Sequence, residues 1–478
     1  MGVYLRSATD GASQRSRVGS VRPMSAGSDS APDPGGDESA PALAVIGTGY
    51  VGLTTGACLA HLGFHVACAD IDEAKVARLQ AGEIPIVEEG LDQIVAGAVA
   101  GGRLRFMVGA ASAAADADIV FLCVPTPQDE DGSADLSYIE AAAGEIGPVL
   151  RPGAVVVNKS TVPVGSTRVV ERVLQRRDVA VVSNPEFLRE GTAVNDFLHP
   201  DRVVIGGDDV AAAERVAALY RDLGTQILIT DAASAETIKY AANGFLAMKI
   251  SFVNAVAALC EAVGADVHHV IDGIGSDQRI GRAFLRPGPG WGGSCFPKDS
   301  RALVSIAAKH GYDFSMMRGV IAVNDEQRER MVRKVVTAAG RDGSTPGSEP
   351  LAGVCIAALG LTFKAGTDDL RDSPSLAIIA ELQHLGASVR AYDPTVGGGL
   401  DHLQRRRLDG LELAADPYAA ATGADVSVVL TEWPEFGDLD LDRLAHVMRG
   451  RAIVDTRNVL DPAAVRSRGL DYDGVGRR

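Results

Sequence analysis

A chain of 478 residues with 46 Lys plus Arg against 62 Asp plus Glu carries a formal charge of −16. That balance argues against a broad nucleic-acid surface and against docking on an acidic membrane, while leaving room for a basic pocket around a small anion. The length and the near-zero mean hydropathy fit a globular protein of about three domains. Six cysteines show neither metal-ligand spacing nor a disulfide framework, so no metal site is expected and the compartment reads as reducing. No uninterrupted apolar run reaches about 18 residues and no signal-type stretch opens the chain, which makes the cytoplasm the expected location and a membrane partner unexpected.

Residues 1–40 are rich in Ser, Gly, Ala, Asp and Pro and nearly free of large apolar side chains, so a disordered tail is expected. From Leu43 onward, short β-branched runs alternate with Ala-rich stretches, the grammar of βαβ units. Strands are expected at residues 43–46, 65–69, 119–124, 154–157, 179–182 and 203–205, with a helix from Tyr50, in a mostly parallel sheet of a first domain at 41–230. Residues 235–263 keep helical spacing of apolar side chains over an unusual length, marking a central helical region at 231–340. A linker composition at 341–350 precedes renewed βαβ grammar, with strands at 354–359 and 388–392 around a helix near 375–385, in a last domain at 351–478. The expected fold class is α/β, two Rossmann-like doubly wound domains joined by a helical region with a long helix.

The first motif is Gly47-Thr48-Gly49-Tyr50-Val51-Gly52, placed between a strand and a helix. Gly47 permits the tight turn, Gly49 lets backbone approach a pyrophosphate, Gly52 allows close helix packing, and the helix N-terminus faces the anion. Asp70 ends the second strand near the offset of a ribose-binding acid and would repel a 2′-phosphate, favouring NAD over NADP. Lys75 can close over the adenosine ribose or be a solvated helix lysine. Lys159-Ser160-Thr161-Val162-Pro163 offers a hydroxyl at the carboxyl end of a strand, or is a plain turn. In residues 184–191, Asn-Pro-Glu-Phe-Leu-Arg-Glu-Gly, Glu186 and Glu190 lie one helical turn apart if Glu186 begins a helix, as an acid/base pair or as a capping pattern. Lys239 and Asn243 share a face of the long helix at i and i+4, although a lysine there can also snorkel to water. Cys295 stands in Gly-Gly-Ser-Cys-Phe-Pro-Lys-Asp at residues 292–299. A free cysteine is most often a small buried hydrophobe, but the glycines permit close backbone approach and Lys298 can favour a thiolate, with Asp299 opposing it unless paired with a cation. The other five cysteines lie in apolar helices or strands and read as core; Arg405, Arg406 and Arg407 read as a solvated face.

Taken together, Gly-Tyr-Val-Gly at 49–52, Val-Pro-Thr-Pro at 124–127, Ser-Thr-Val-Pro at 160–163 and the motifs at 184–191 and 292–299 resemble the UDP-glucose/GDP-mannose dehydrogenase family, over nearly everything from Leu43 to Leu460. Residues 196–206, 277–281 and 431–434, and Phe296 after the cysteine, point within it to UDP-glucose as substrate, with GDP-mannose as the alternative. The resemblance implies four-electron oxidation with two NAD+ and water through a Cys295 thiohemiacetal and thioester. It places Lys239, Asn243 and Asp299 around the reacting carbon, Lys239 or Asp299 as first base, and Glu186 and Thr161 in proton or water handling. It implies NAD contacts from the turn at Gly47 to Gly52, Asp70, Lys75, Thr126, Thr161, Glu190, Lys298 and Arg371. The sugar nucleotide would meet Phe187, Leu188, Arg189, Lys239, Asn243, Phe284, Leu285, Arg286, Pro287, Gly288, Gly292, Lys364 and Arg457. Arg279 would reach a neighbouring subunit's substrate, so a homodimer or higher homo-oligomer is expected.

Overall fold

The computed structural model describes residues 40–129, 134–342, 349–397 and 402–477; the expected tail, save residue 40, and most of the expected linker lie outside them. The first sheet has eight strands, β1 (Leu43–Ile46), β2 (Val66–Asp70), β3 (Leu104–Val108), β4 (Ile119–Leu122), β5 (Val155–Asn158), β6 (Ala180–Ser183), β7 (Arg202–Gly206) and β8 (Gln226–Thr230), in the order 3-2-1-4-5-6-7-8. β1 pairs in parallel with both β2 and β4, Leu43 lying opposite Val66 and Ile119. Every residue of β1, β4 and β5 is buried, as expected for parallel strands covered on both faces, each fully buried Leu or Val contributing about 1.5–3 kcal/mol. The sheet reverses once: β7 is antiparallel to β6, and residues 184–201 link them.

A second sheet of six parallel strands, β9 (Cys355–Leu359), β10 (Ser388–Tyr392), β11 (Glu412–Leu413), β12 (Val426–Val429), β13 (Ala452–Asp455) and β14 (Asp471–Gly474), runs in the order 3-2-1-4-5-6 when its strands are renumbered from one. The first six strands of the larger sheet share that order, so the α/β expectation is borne out in both halves. Ligands in such sheets sit outside the carboxyl ends of the strands, where the order reverses.

Between the sheets runs a 32-residue helix, Ala232–Val263, about 48 Å long at the standard rise. Asp231 caps its start by accepting from Ser234 N, and Gly264, at φ +76°, ends it in the left-handed region. Its first turn packs so closely on β7 that a Cβ on Gly206 would lie 2.4 Å from the Ala235 Cβ. Its far end joins the core of the second half, where Ala257 and Cys260 meet Met331, Val335 and Ile356. By length and composition this helix could span a membrane, a feature that scanning for uninterrupted apolar runs misses. Helices Phe296–Lys309 and Ser315–Ala338 pack along it instead, and the polar side chains Lys239 and Asn243 are buried on it.

Candidate active site

Two cavities meet at Cys295. The larger, about 700 Å³, is walled by residues 184–190, the long helix, the thiol loop, and Phe363 and Lys364 from the second half. The smaller, about 630 Å³, follows the ends of β1, β2, β4 and β5 and is closed by Arg371 and Asp372 from the second half. Cys295, Glu186, Leu188, Glu190 and Ser294 line both.

The thiol sits at the N-cap of helix Phe296–Lys309, with Pro297 in the first turn and Asp299 N donating to Cys295 O at 2.8 Å. A helix N-terminus favours a thiolate, yet burial dominates and pushes the Cys295 thiol up to about 11, with Lys239 pulling the other way. The preceding glycines are needed for room. A Cβ on Gly292 would lie 2.1 Å from Asp372 O, and one on Gly293, at φ +80°, would lie 2.8 Å from the Phe363 ring. The close approach expected at these glycines is thus made by the second half of the chain. Phe284 adopts φ +61°, uncommon for a bulky residue, with its ring 6.4 Å from that of Phe296.

Lys239 and Asn243 point into the site as their i, i+4 spacing predicts, and Lys239 is buried rather than snorkelling. Its Nζ donates to Glu186 Oε1 at 2.8 Å and to Glu186 O at 2.7 Å. Burial works to strip charge from both partners, but their mutual attraction prevails: Lys239 is held above its ordinary value and Glu186 below. This is an ammonium facing a carboxylate. Asn243 Nδ2 donates to Asp299 Oδ2 at 2.6 Å, and Lys298 Nζ to Asp299 Oδ1 at 2.5 Å. The expectation that Lys298 serves the thiol needs correction: its ammonium is paired with Asp299, and the largest cationic influence on Cys295 is Lys239, with Arg371 also interacting with the sulfur.

Glu186 and Glu190 do not share a helical turn, because the chain after Pro185 runs as a loop until Ala193. Glu186 turns back to accept from Leu188 N, while Glu190 accepts from Ser294 Oγ at 2.9 Å and from Arg371 Nη2 at 3.2 Å, joining three segments of the chain. Burial, with Asp369 beside it, pushes Glu190 up to about 7.

Along the smaller cavity, Asp70 Oδ2 accepts from Thr48 N (2.9 Å), Thr48 Oγ1 (2.6 Å) and Lys75 Nζ (2.9 Å). Burial opposes its charge, but these donors hold it at about 2. Lys75 is therefore neither free nor fully solvated. Gly47, Gly49, Tyr50, Val51, Thr126, Thr161, Lys298 and Arg371 line the same cavity. Gly52 lies behind the wall, where a Cβ would come within 1.9 Å of Gly47 O.

Of the residues expected around a sugar nucleotide, Phe187, Leu188, Arg189, Phe284, Gly292 and Lys364 line the larger cavity. Leu285, Arg286, Pro287 and Gly288 do not. Gly288 is fixed by Asn254 and Gln327 and abuts Arg457, whose guanidinium is bound to Leu430 O, Phe363 O and Glu432. Arg279 is exposed and paired with Asp277, away from both cavities.

Sequence reasoning missed three features. Buried Lys159 lines the larger cavity; its Nζ donates to Asn184 Oδ1 at 3.0 Å, and burial pulls it down to about 8. Arg202 lies 3.7 Å over the Phe187 ring. Arg407, exposed as expected, also lines the smaller cavity from the second half and donates to Leu370 O, a part in the site the sequence did not reveal.

Comparison with known proteins gives this arrangement a context. Residues 42–224, 233–326 and 357–462 match the NAD binding, central and UDP binding domains of the UDP-glucose/GDP-mannose dehydrogenase family. A UDP-glucose 6-dehydrogenase of Rhizobium meliloti is 48% identical over 445 residues, covering 91% of this chain and 99% of that protein. One from Pseudomonas aeruginosa is 44% identical over 449 residues, covering 91% and 97%. The solved structure of a UDP-glucose dehydrogenase from Pyrobaculum islandicum superposes with a TM-score of 0.83 at 36% identity, over 92% of this chain and 98% of that one.

Proposed function

Because this chain belongs to the UDP-glucose/GDP-mannose dehydrogenase family and is an NAD-dependent oxidoreductase, we propose that it oxidises the C6 alcohol of UDP-glucose to the carboxylate of UDP-glucuronate, consuming two NAD+ and one water. The observation that carries this reading is Cys295 on the common wall of two cavities, one beside the dinucleotide-type turn and one beside Lys239 and Asn243. A thiol so placed can hold an aldehyde in reach of the cofactor for a second oxidation.

The smaller cavity fits the cofactor on its own geometry. A side chain on Gly49 would meet nothing within 4 Å, leaving the cradle that a pyrophosphate needs, and Asp70 stands ionised at the ribose end. When bound, NAD+ is the hydride acceptor of both oxidations. Asp70 and Lys75 would hold its adenosine end, and Thr126, Thr161, Glu190, Lys298 and Arg371 the remainder.

The residues divide the proton and charge work. Lys239, kept an ammonium by Glu186, is unsuited to be the first base and instead steadies the developing alkoxide. Asp299, behind Asn243, takes the C6 hydroxyl proton through water. Cys295 adds to the aldehyde carbon as the carbonyl oxygen gains a proton, giving a thiohemiacetal whose oxidation leaves a thioester. Water oriented by Glu186 and Thr161 then attacks, the C–S bond breaks, and Asn243 and Lys239 donate to the tetrahedral oxyanion. Phe187, Arg189, Phe284, Gly292 and Lys364 would line the sugar nucleotide, Lys364 meeting its phosphates.

The working unit is a homodimer in this reading. Phe245, Phe252 and Leu259 recur every seven residues on the long helix and are each more than half exposed, an apolar strip suited to a second copy. Arg279, with its side chain 89% exposed, would cross to that partner. All six cysteines are unpaired, which suits the cytosol.

The deciding experiment measures NADH at completion from limiting UDP-glucose with excess NAD+, alongside Cys295→Ser. Two NADH per sugar nucleotide, with sustained turnover lost in the variant, is the expected result. One NADH, or an unimpaired variant, would sink the thioester route, and turnover of GDP-mannose alone would move the substrate.

A further inference from the structure

The loop at residues 159–165 passes between the two cavities, placing Lys159 on the larger and Ser160 and Thr161 on the smaller. Its first half hangs from the end of β4. Ser160 Oγ donates to Val124 O at 2.7 Å and Leu122 O at 3.3 Å, and Thr126 Oγ1 donates to Thr161 O at 2.9 Å. Its second half is fastened differently. Glu236, on the long helix and 2% exposed, accepts from Gly165 N (2.6 Å), Thr167 N (2.9 Å) and Thr167 Oγ1 (2.8 Å).

Those bonds cap helix Ser166–Leu174, which has no side-chain cap from its own flank. Gly165 occupies φ +96°, where a Ser or Asp would be strained. A local cap would have satisfied that helix and left the loop free to shift against its neighbours. A cap reached from 69 residues away ties the loop to the element that supplies it. Glu236 stands one turn before Lys239 and two before Asn243, so the three lie on one face of the long helix.

We propose that Glu236 is a positioning residue: through Gly165 and Thr167 it locks the loop carrying Thr161 to the helix carrying Lys239 and Asn243. The cofactor side and the thiol side of the site then keep one fixed spacing. The inference rests on the reading of the two cavities as cofactor and substrate chambers.

The test is calorimetric titration of NAD+, and separately of UDP-glucose, into Glu236→Gln and Thr167→Val, with melting curves for both. Glutamine cannot accept at both ends of its side chain, so at least one backbone donor is released; Thr167→Val removes one bond of the three. Glu236→Gln is expected to weaken NAD+ roughly tenfold, the size of one charge-assisted hydrogen bond, and Thr167→Val a few-fold. UDP-glucose affinity should stay within about twofold. The double variant should bind NAD+ no worse than Glu236→Gln alone with respect to the shared bond. Unchanged NAD+ affinity in the folded variants overturns the proposal. So does a Thr167→Val protein in which both affinities and the melting point fall together, because that marks a cap serving only the fold. If Glu236→Gln does not fold, Thr167→Val decides. Failure of the UDP-glucose reading shows separately, as a wild-type protein without turnover whose NAD+ titration is still readable.

Discussion

The resting thiol should be almost wholly protonated, and its reactivity against pH measures how burial and Lys239 compete. With Cys295 pushed from 9.0 up to about 11, the thiolate fraction at pH 8 falls from about one in ten to about one in a thousand, a roughly hundredfold loss. A more basic thiolate is also a better nucleophile, by about eightfold over two pH units at a Brønsted slope near 0.45, so the net suppression is roughly tenfold. The assay follows reaction with 4,4′-dithiodipyridine by absorbance from pH 6 to 10, subtracting Cys295→Ser to remove partly exposed Cys355. The expected log rate climbs by one per pH unit without levelling before pH 10. Lys239→Met, which removes the opposing cation, should depress the curve further. A plateau below pH 8 in the wild type would refute the reasoning, since the helix N-terminus and Lys239 would then outweigh burial. An unchanged curve in Lys239→Met would show that this ammonium does not act on the sulfur.

Glu186→Gln keeps an acceptor for Lys239 but removes the charge from a pair whose side chains are about 95% buried. Breaking such a pair costs about 3 kcal/mol at the lower end of the usual range, or about 5–10 °C in melting temperature. Glu186 titrates below its ordinary value when folded, so this advantage over the variant is present above that value and vanishes as pH falls through the folded one; equal melting points at pH 7 would contradict the ion pair. Gly52→Ala should destabilise the protein before any cofactor is added, because its Cβ meets Gly47 O. Gly49→Ala, with open space and φ −68°, should melt normally yet bind NAD+ weakly; the reverse pattern would undo the roles given to these glycines. Phe252→Glu should halve the mass seen by sedimentation, and a variant that sediments as the wild type would show that the apolar strip is not the subunit contact.

What could be read from the chain was what repeats locally. The strands of β1 and β4 are short apolar runs, and the Lys239 and Asn243 pair is an i, i+4 spacing that a helix turns into one face. What could not be read was pairing across distance. Lys298 lies close to Cys295 in sequence and looked like its cation, but it is paired with Asp299, and the largest cationic pull on the sulfur comes from Lys239, whose charge is held by Glu186 from 53 residues away. Glu186 and Glu190 have helical spacing in the stretch that links antiparallel β6 and β7, but that stretch runs as a loop until Ala193, so the spacing puts them on no common face. All three of Arg405, Arg406 and Arg407 are exposed as read, but nothing in a run of three arginines says which one also lines a cavity. Glu236 completes a polar stripe with Lys239 and Asn243 and was within reach of the same helical reasoning that found those two.

The seam at Gly292 and Gly293 bears on how the enzyme comes into being. The two glycines are moulded against Asp372 and Phe363, which are synthesised about seventy to eighty residues later. A nascent chain that has already made its cysteine has not yet made the wall that shapes the loop around it. Cysteine and mould are thus separated in time as well as in sequence, and a truncated product ending before the second sheet would carry Cys295 without the residues that shape its loop.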